Sequence, residues 1–114
     1  MRVISQNGTM DFPYDNSLVF LHESCIKGNT CVEIQLCGDT EIDIVAEYST
    51  EEKAVKAMEM LREQYSRIEI IKALASGTCK HMEESLKPEE FKHILEKYIN
   101  MEVFQFPQDD EIEV

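Results

Sequence analysis

The chain has 114 residues, 43% of them hydrophobic, and its 23 acidic and 11 basic residues give a formal net charge of −12. This length fits one domain, and the hydrophobic content is higher than that of disordered segments. The charge predicts repulsion from nucleic acids and anionic membranes, and attraction to basic partners.

The sequence carries no signal for membrane insertion or export. No apolar run approaches the roughly 20 residues that a transmembrane helix needs. The N-terminal segment has one arginine and lacks the apolar stretch of a secretory signal peptide. We therefore expect no membrane contact, a cytoplasmic location and reduced cysteines.

The N-terminal half shows the two-residue hydrophobic period of β-strands. Asn7-Gly8 is a strong hairpin signal, because both residue types adopt positive φ readily. Residues 17–23 contain a continuous apolar run, which predicts a buried strand. The pattern predicts an antiparallel β-meander, with strands at residues 3–6, 10–14, 17–23, 31–36 and 41–48.

The last of these strands defines the two faces of the predicted sheet. Its alternation predicts an apolar face toward the core, formed by Ile42, Ile44 and Ala46. The same alternation predicts a carboxylate face toward solvent, which Val45 shares with Glu41, Asp43 and Glu47.

A helical period begins at Ser49. Ser49-Thr50-Glu51-Glu52 matches a capping box, in which the Ser49 hydroxyl accepts a hydrogen bond from the Glu52 amide. An amphipathic stripe then predicts a long helix that packs on the sheet and ends near residue 75, formed by Ala54, Met58, Leu61, Tyr65, Ile68, Ile71, Leu74 and Ala75. The alternative is a helix that ends near Ser66, with residues 67–70 forming another strand.

The C-terminal third completes an α+β fold. Residues 77–87 are predicted to form a loop, with a short turn of helix within it as the alternative. Pro88 suits the first position of a second, shorter helix that ends near residue 100. A short strand is expected at residues 103–106. Residues 1–107 are thus predicted to form a single domain, and residues 108–114, which include four acids, a disordered acidic tail.

Three stretches carry a family resemblance: VISQNGTMDFPYDN near the start, AEYSTEEKAVKAMEMLREQY at the first helix, and VFQFPQDDEIEV at the end. Together they resemble a group of small, largely uncharacterised accessory proteins of bacteriophages and prophages of low-GC Gram-positive bacteria. The resemblance implies a viral accessory protein in the bacterial cytosol that acts by binding host or phage proteins. It implies no catalytic residue.

One cluster of residues has side chains of the types that bind metals. His22 and Cys25 have His-x-x-Cys spacing, and Cys31 and Cys37 follow six and twelve residues after Cys25. Imidazole and thiolates are zinc ligands, but tight sites usually include a close Cys-x₂₋₄-Cys pair, which this sequence lacks. We therefore expect packed or exposed thiols, with no metal and no cofactor.

Catalytic patterns are equally weak. Cys79-Lys80-His81 places a thiol, a cation and a base side by side, but a nucleophile and its base normally come from distant positions. No carboxylate interrupts an apolar run, which is the setting that raises a carboxyl pKa for catalysis. No glycine-rich phosphate loop occurs. The chain is not expected to be an enzyme.

The acidic residues are the strongest candidates for function. Residues 1–49 carry a net charge of −6 and residues 81–114 a net charge of −7, around a segment of +1. Such charges commonly form a solvated surface, but they can also imitate nucleic acid and bind a basic groove. The predicted partner-binding surface comprises Asp39, Glu41, Asp43, Glu47, Glu83, Glu84, Glu89 and Glu90.

Together these features predict a non-enzymatic binding protein of phage type. Its expected partner is a basic host or phage protein, and its expected action is inhibition of a host defence nuclease such as a CRISPR nuclease. One alternative is a structural or assembly protein that self-associates through a strand edge or the helix. A further alternative is a protein that sequesters a small ligand.

Overall fold

A computed structural model describes residues 1–23, 28–85 and 87–114, apart from the side chains of residues 74–85, Phe91 and Leu95. The fold is α+β, as the sequence predicts. Its strands are β1 (Arg2–Ile4), β2 (Asp11–Pro13), β3 (Ser17–Glu23), β4 (Thr30–Leu36), β5 (Asp43–Tyr48) and β6 (Val103–Gln105). Its helices are α1 (Glu51–Ser85) and α2 (Pro88–Met101).

The described strands form two three-stranded sheets and not one five-stranded meander. The first sheet has the order β2-β1-β6, and the second is an antiparallel meander with the order β3-β4-β5. In the first sheet β1 is antiparallel to β2 and parallel to β6, with Val3 opposite both Phe12 and Phe104. Two three-residue strands bury little surface as an isolated hairpin, and β6 supplies the third strand that makes such a sheet stable.

The turn between β1 and β2 is confirmed. Gly8 has a φ of +76°, which favours glycine, and its N–H donates to the Ser5 carbonyl oxygen at 2.9 Å. The Asn7 side-chain oxygen accepts hydrogen bonds from Ser5 Oγ, Thr9 Oγ1 and the Thr9 N–H. The Asn7-Gly8 pair therefore fixes the hairpin locally, as its composition predicts.

Helix α1 is longer than predicted and begins with a different cap. It continues past Ser76-Gly77 to Ser85, so the expected loop was wrong for residues 77–85, and the alternative strand at residues 67–70 was wrong as well. A single glycine lowers helix stability by only about 1 kcal/mol, and no proline occurs before Pro88 to end the helix. Thr50 is the capping residue, because its Oγ1 accepts from the Lys53 N–H at 3.2 Å, whereas the Ser49 hydroxyl donates to Asp109.

One face of α1 packs over β4 and β5. Ala54, Ala57, Leu61 and Ile68 are fully buried, at three- to seven-residue intervals along this face. The small side chains of the two alanines allow the first turns of the helix to approach the sheet closely. The core therefore lies between α1 and the inner faces of both sheets.

Strand β5 contains a β-bulge at Val45. Val32 of β4 lies opposite Ala46, but the next residue of β4, Glu33, lies opposite Ile44, which leaves Val45 as the extra residue. As a result the neighbours Val45 and Ala46 are both buried, each 3% exposed, whereas Ile44 is 59% exposed. The expected core face of Ile42, Ile44 and Ala46 was therefore wrong for its two isoleucines.

Gln6 joins the two sheets at this bulge. Its N–H donates to the Val45 carbonyl oxygen at 2.7 Å, and its side-chain oxygen accepts from the Glu47 N–H at 2.9 Å. Its side-chain NH₂ group donates to the carbonyl oxygens of Glu47 and Pro107, both at 3.1 Å. The primary amide thus bonds the backbone N–H and C=O groups of Glu47 at the outer edge of β5, as a neighbouring strand would.

We predict that Gln6→Ala lowers the free energy of unfolding by about 2 kcal/mol, because it leaves backbone groups of β5 without their partner. Gln35→Ala is the matched control, since the Gln35 side chain makes one exposed hydrogen bond, to the Asp39 carbonyl oxygen, and should cost about 0.5 kcal/mol. Urea unfolding monitored by circular dichroism measures both. Equal losses for the two variants would contradict the bridging role of Gln6.

Candidate functional site

The sequence-predicted acids do not form one surface. Asp39 and Glu41 lie in the connection between β4 and β5, and Asp43 and Glu47 lie on β5, all of them exposed. Glu89 and Glu90 are exposed in the first turn of α2. The side chains of Glu83 and Glu84 lie outside the described residues.

The bulge separates two carboxylates that the sequence placed on one face. Asp43 lies opposite Ile34, whereas Glu47 lies opposite Cys31. Residues opposite each other share a face of the sheet, and two residues three positions apart on one strand point to opposite faces. Asp43 and Glu47 are therefore on opposite faces of the second sheet, and the predicted carboxylate face was wrong.

The acids of α2 belong to a third location. Glu102, at the end of α2, is tied to the first sheet because its carbonyl oxygen accepts from the Arg2 N–H at 2.8 Å. Glu90 lies about 18 Å from Glu102 along the helix axis. Glu89 and Glu90 therefore lie at the opposite end of α2 from the contact that ties this helix to the first sheet.

Sequence reasoning missed an apolar surface on the side of the second sheet turned away from α1. We call it the outer face and define it by Leu18 and Phe20 of β3, Glu33 of β4, and Ile44 and Glu47 of β5. Phe20, Glu33 and Ile44 lie in one row across the three strands, and Leu18 follows two positions from Phe20. Leu18 and Ile44 are each 59% exposed, and Phe20 is half-buried.

Strand β3 was expected to be buried, and its position explains why it is not. It forms one edge of the second sheet, and none of its seven residues is buried. Its apolar residues fall on both faces, with Val19 and Leu21 packed partly against the core and Leu18 and Phe20 on the outer face. A continuous apolar run is typical both of a buried strand and of an edge strand with two apolar faces, so the sequence pattern does not distinguish them.

Acids border the outer face on two sides. Glu33 lies within it between Phe20 and Ile44, and Glu47 accepts a hydrogen bond from the Asn29 side chain at 3.1 Å. At the end near Leu18, Gln35 donates to the Asp39 carbonyl oxygen at 2.9 Å, which holds the connection that carries Asp39 and Glu41 beside this face. The result is an apolar surface with one carboxylate, that of Glu33, within it and further carboxylates at its rim.

The possible metal ligands are dispersed along β3 and β4. His22 lies opposite Cys31, which is buried, but Cys37 follows the other end of β4, about 20 Å away along the strand. Cys25 and the side chains of Cys79, Lys80 and His81 lie outside the described residues. No group of three or more ligating side chains occurs within the described part of the chain.

Two further features of the described residues are a groove beside α1 and the composition of the two helices. A groove of about 410 Å³ runs along the exposed side of α1, lined by Glu51, Glu52, Val55, Lys56, Glu59 and Val114. It is open to solvent and joins charged side chains to two valines. Neither α1 nor α2, as far as each is described, combines the length and apolar character needed to cross a membrane.

The acidic tail is docked onto the domain, which corrects the expectation of disorder. Residues Asp109–Glu111 form a 3₁₀ turn, and Ile112 is buried in the core. Tyr48, also buried, donates from its hydroxyl to the Pro107 carbonyl oxygen at 2.8 Å, and burial raises the pKa of this hydroxyl. Two apolar residues among four acids were too weak a sequence signal, but the buried one, Ile112, anchors the segment.

Asp109 connects this segment to the start of α1. Its carboxylate accepts hydrogen bonds from the Ser49 N–H at 2.7 Å and the Ser49 hydroxyl at 2.9 Å, and it pairs with Lys53 Nζ at 3.1 Å. The hydrogen bond from the Ser49 backbone, assisted by Lys53, holds the pKa of Asp109 below its usual value. This carboxylate is therefore engaged within the domain.

We predict that Asp109→Asn lowers the thermal midpoint at pH 7, and that its difference from wild type shrinks as the pH falls. The folded chain holds the pKa of Asp109 below its unfolded value of about 3.9, so these contacts stabilise it above that pH and lose their contribution below. Thermal melts at about pH 7 and pH 3 measure this. Asp110→Asn, on an exposed neighbour, is the control; the same pH dependence in both variants would contradict the prediction.

Comparison with known proteins assigns no family to this geometry. No protein-family model matches the chain, and no curated protein and no solved structure is significantly similar to it. A function for the chain must therefore be argued from its own residues.

Proposed function

We propose that this chain is a non-enzymatic, phage-type protein that binds a basic protein of the bacterial cytoplasm through the outer face of the second sheet. The observation that carries the proposal is the exposure of Leu18 and Ile44, 59% each, beside the carboxylates of Glu33 and Glu47. The phage origin rests on the sequence resemblance alone.

The composition of the outer face supports binding to a protein. Isolated apolar residues are common on protein surfaces, but Leu18, Phe20 and Ile44 are neighbours on one sheet face. Specific interfaces combine an apolar centre with a polar rim that water reaches. The carboxylate rim then selects a positively charged partner, because a basic rim opposite it lowers the electrostatic energy of the complex.

The net charge supports a partner that normally binds nucleic acid. A charge of −12 repels nucleic acid itself but accelerates association with a protein that has a basic groove. Occupation of such a groove excludes the nucleic acid from it. We therefore propose that the chain inhibits a host defence nuclease by competing with its substrate.

A charge-neutralising variant tests which surface binds. Asp39→Asn/Glu41→Gln/Glu47→Gln removes three negative charges beside the outer face and keeps the size and an acceptor oxygen of each side chain. Glu89→Gln/Glu90→Gln/Glu96→Gln removes the same charge from exposed positions of α2. Each immobilised protein is used to capture partners from a Gram-positive bacterial lysate, and the captured proteins are quantified by mass spectrometry.

We predict that wild type and the α2 variant capture the same basic nucleic-acid-handling protein, and that the variant beside the outer face captures at least about tenfold less of it. With that protein purified, wild type should release bound duplex DNA and stop its cleavage, with an effect that weakens as salt rises. Equal capture by all three proteins, or equal losses in both variants, would refute the proposed surface. Simultaneous binding of DNA and the chain would refute competition.

A further inference from the structure

The two edges of the second sheet differ. At the β5 edge, the hydrogen-bonding groups of Val45 and Glu47 are occupied by Gln6. The opposite edge is β3, and no backbone hydrogen bond between described residues reaches its outer side. The sheet can therefore be extended at β3.

The pairing of β3 with β4 determines which groups face this open edge. The Asn16 carbonyl oxygen accepts from the Cys37 N–H at 2.8 Å, so Asn16 belongs to a hydrogen-bonded pair. In an antiparallel ladder such pairs alternate, so Leu18, Phe20 and His22 also direct their backbone groups toward β4. The N–H and C=O groups of the remaining residues point outward, and these are Ser17, Val19, Leu21 and Glu23.

Strand β3 lacks the features that protect natural edge strands. Its seven residues pair with β4 without a register shift, and they include no proline and no lysine. In a chain with a net charge of −12, Glu23 is the only formally charged residue of this strand, and it lies at the strand end. The side chains of this strand therefore add little charge repulsion to the approach of a second copy of the chain.

We propose that β3 pairs with β3 of a second copy, antiparallel and about a two-fold axis at Phe20, so that two three-stranded sheets become one of six strands. This register pairs all seven residues. It places Val19 opposite the partner's Leu21 and Ser17 opposite the partner's Glu23, all with outward-pointing backbone groups, and it makes the contact isologous. The two Phe20 side chains meet at the axis as a non-hydrogen-bonded pair, where side chains lie closest.

The dimer would extend the outer face across the two-fold axis. Leu18, Phe20 and Ile44 of each copy would then lie on one continuous surface. The pairing of β3 does not depend on the proposed basic partner, because it uses backbone groups at the edge and no carboxylate. The two proposals also predict opposite salt dependences. Salt screens the repulsion between two copies and strengthens the dimer, whereas it weakens binding to a basic protein.

Sedimentation equilibrium of the full chain tests the pairing at about 0.05 M and about 0.5 M NaCl, which differ strongly in charge screening. Phe20→Lys places two ammonium groups opposite each other at the axis while keeping Glu33 as a neighbour within each copy. Ile44→Lys is the matched control, because Ile44 is also a neighbour of Glu33 but lies on the far strand. Val19→Pro removes one outward-pointing N–H and leaves the bonds to β4 in place.

We expect a concentration-dependent dimer of wild type that strengthens with salt, is lost in Phe20→Lys and Val19→Pro, and persists in Ile44→Lys. Circular dichroism melts establish that each variant is folded. A wild-type monomer at every concentration in the higher salt would overturn the proposal. So would a folded Val19→Pro dimer as stable as wild type, or a dimer lost equally in Ile44→Lys, because either would locate the contact on the sheet face and not at its edge.

Discussion

The fold depends on a single glutamine side chain that takes the place of a strand. Gln6 follows the short strand β1, yet its backbone and its primary amide bond the outer edge of β5 at the bulge residue Val45 and at Glu47. The same amide donates to Pro107, just before the C-terminal segment. Backbone groups of a strand edge need partners when they are shielded from water, and Gln6 supplies them without a further strand.

The contact of Gln6 with β5 makes the two edges of the second sheet different. With the β5 edge occupied, β3 is the edge that remains open. The bulge turns Val45 toward the core and Ile44 toward solvent, so the outer face gains an apolar residue beside Glu33. The bulge thus contributes Ile44 to the proposed partner surface, whereas the proposed dimer contact lies at the opposite edge of the same sheet.

The elements that the sequence predicted are those encoded by local pattern. The hairpin at Asn7-Gly8, the start of α2 at Pro88 and the amphipathic stripe of α1 as far as Ile71 depend on neighbouring residues, and all three occur; the side chains of Leu74 and Ala75 lie outside the described residues. The pairing of β1 with β6 joins residues about a hundred positions apart. The hydrophobic period within either segment does not predict such a pairing.

The candidate site was missed for a related reason. Three consecutive apolar residues, Ile44, Val45 and Ala46, already interrupt strict alternation and are the available sequence signal for a bulge. Strict alternation along the whole strand, without a bulge, would place Asp43 and Glu47 on one face. A shift of one residue reverses every later side chain, so this single step misplaced the carboxylates and concealed the outer face.

Residue-resolved amide hydrogen exchange by NMR, at a protein concentration at which sedimentation shows a monomer, distinguishes the two edges of the second sheet most directly. We predict slow exchange for the N–H groups of Gln6 and Glu47, which donate to the Val45 carbonyl oxygen and to the Gln6 side chain, and fast exchange for those of Val19 and Leu21, which face the open edge. Fast exchange at Glu47, or equally slow exchange at Val19 and Leu21 in the monomer, would contradict this prediction.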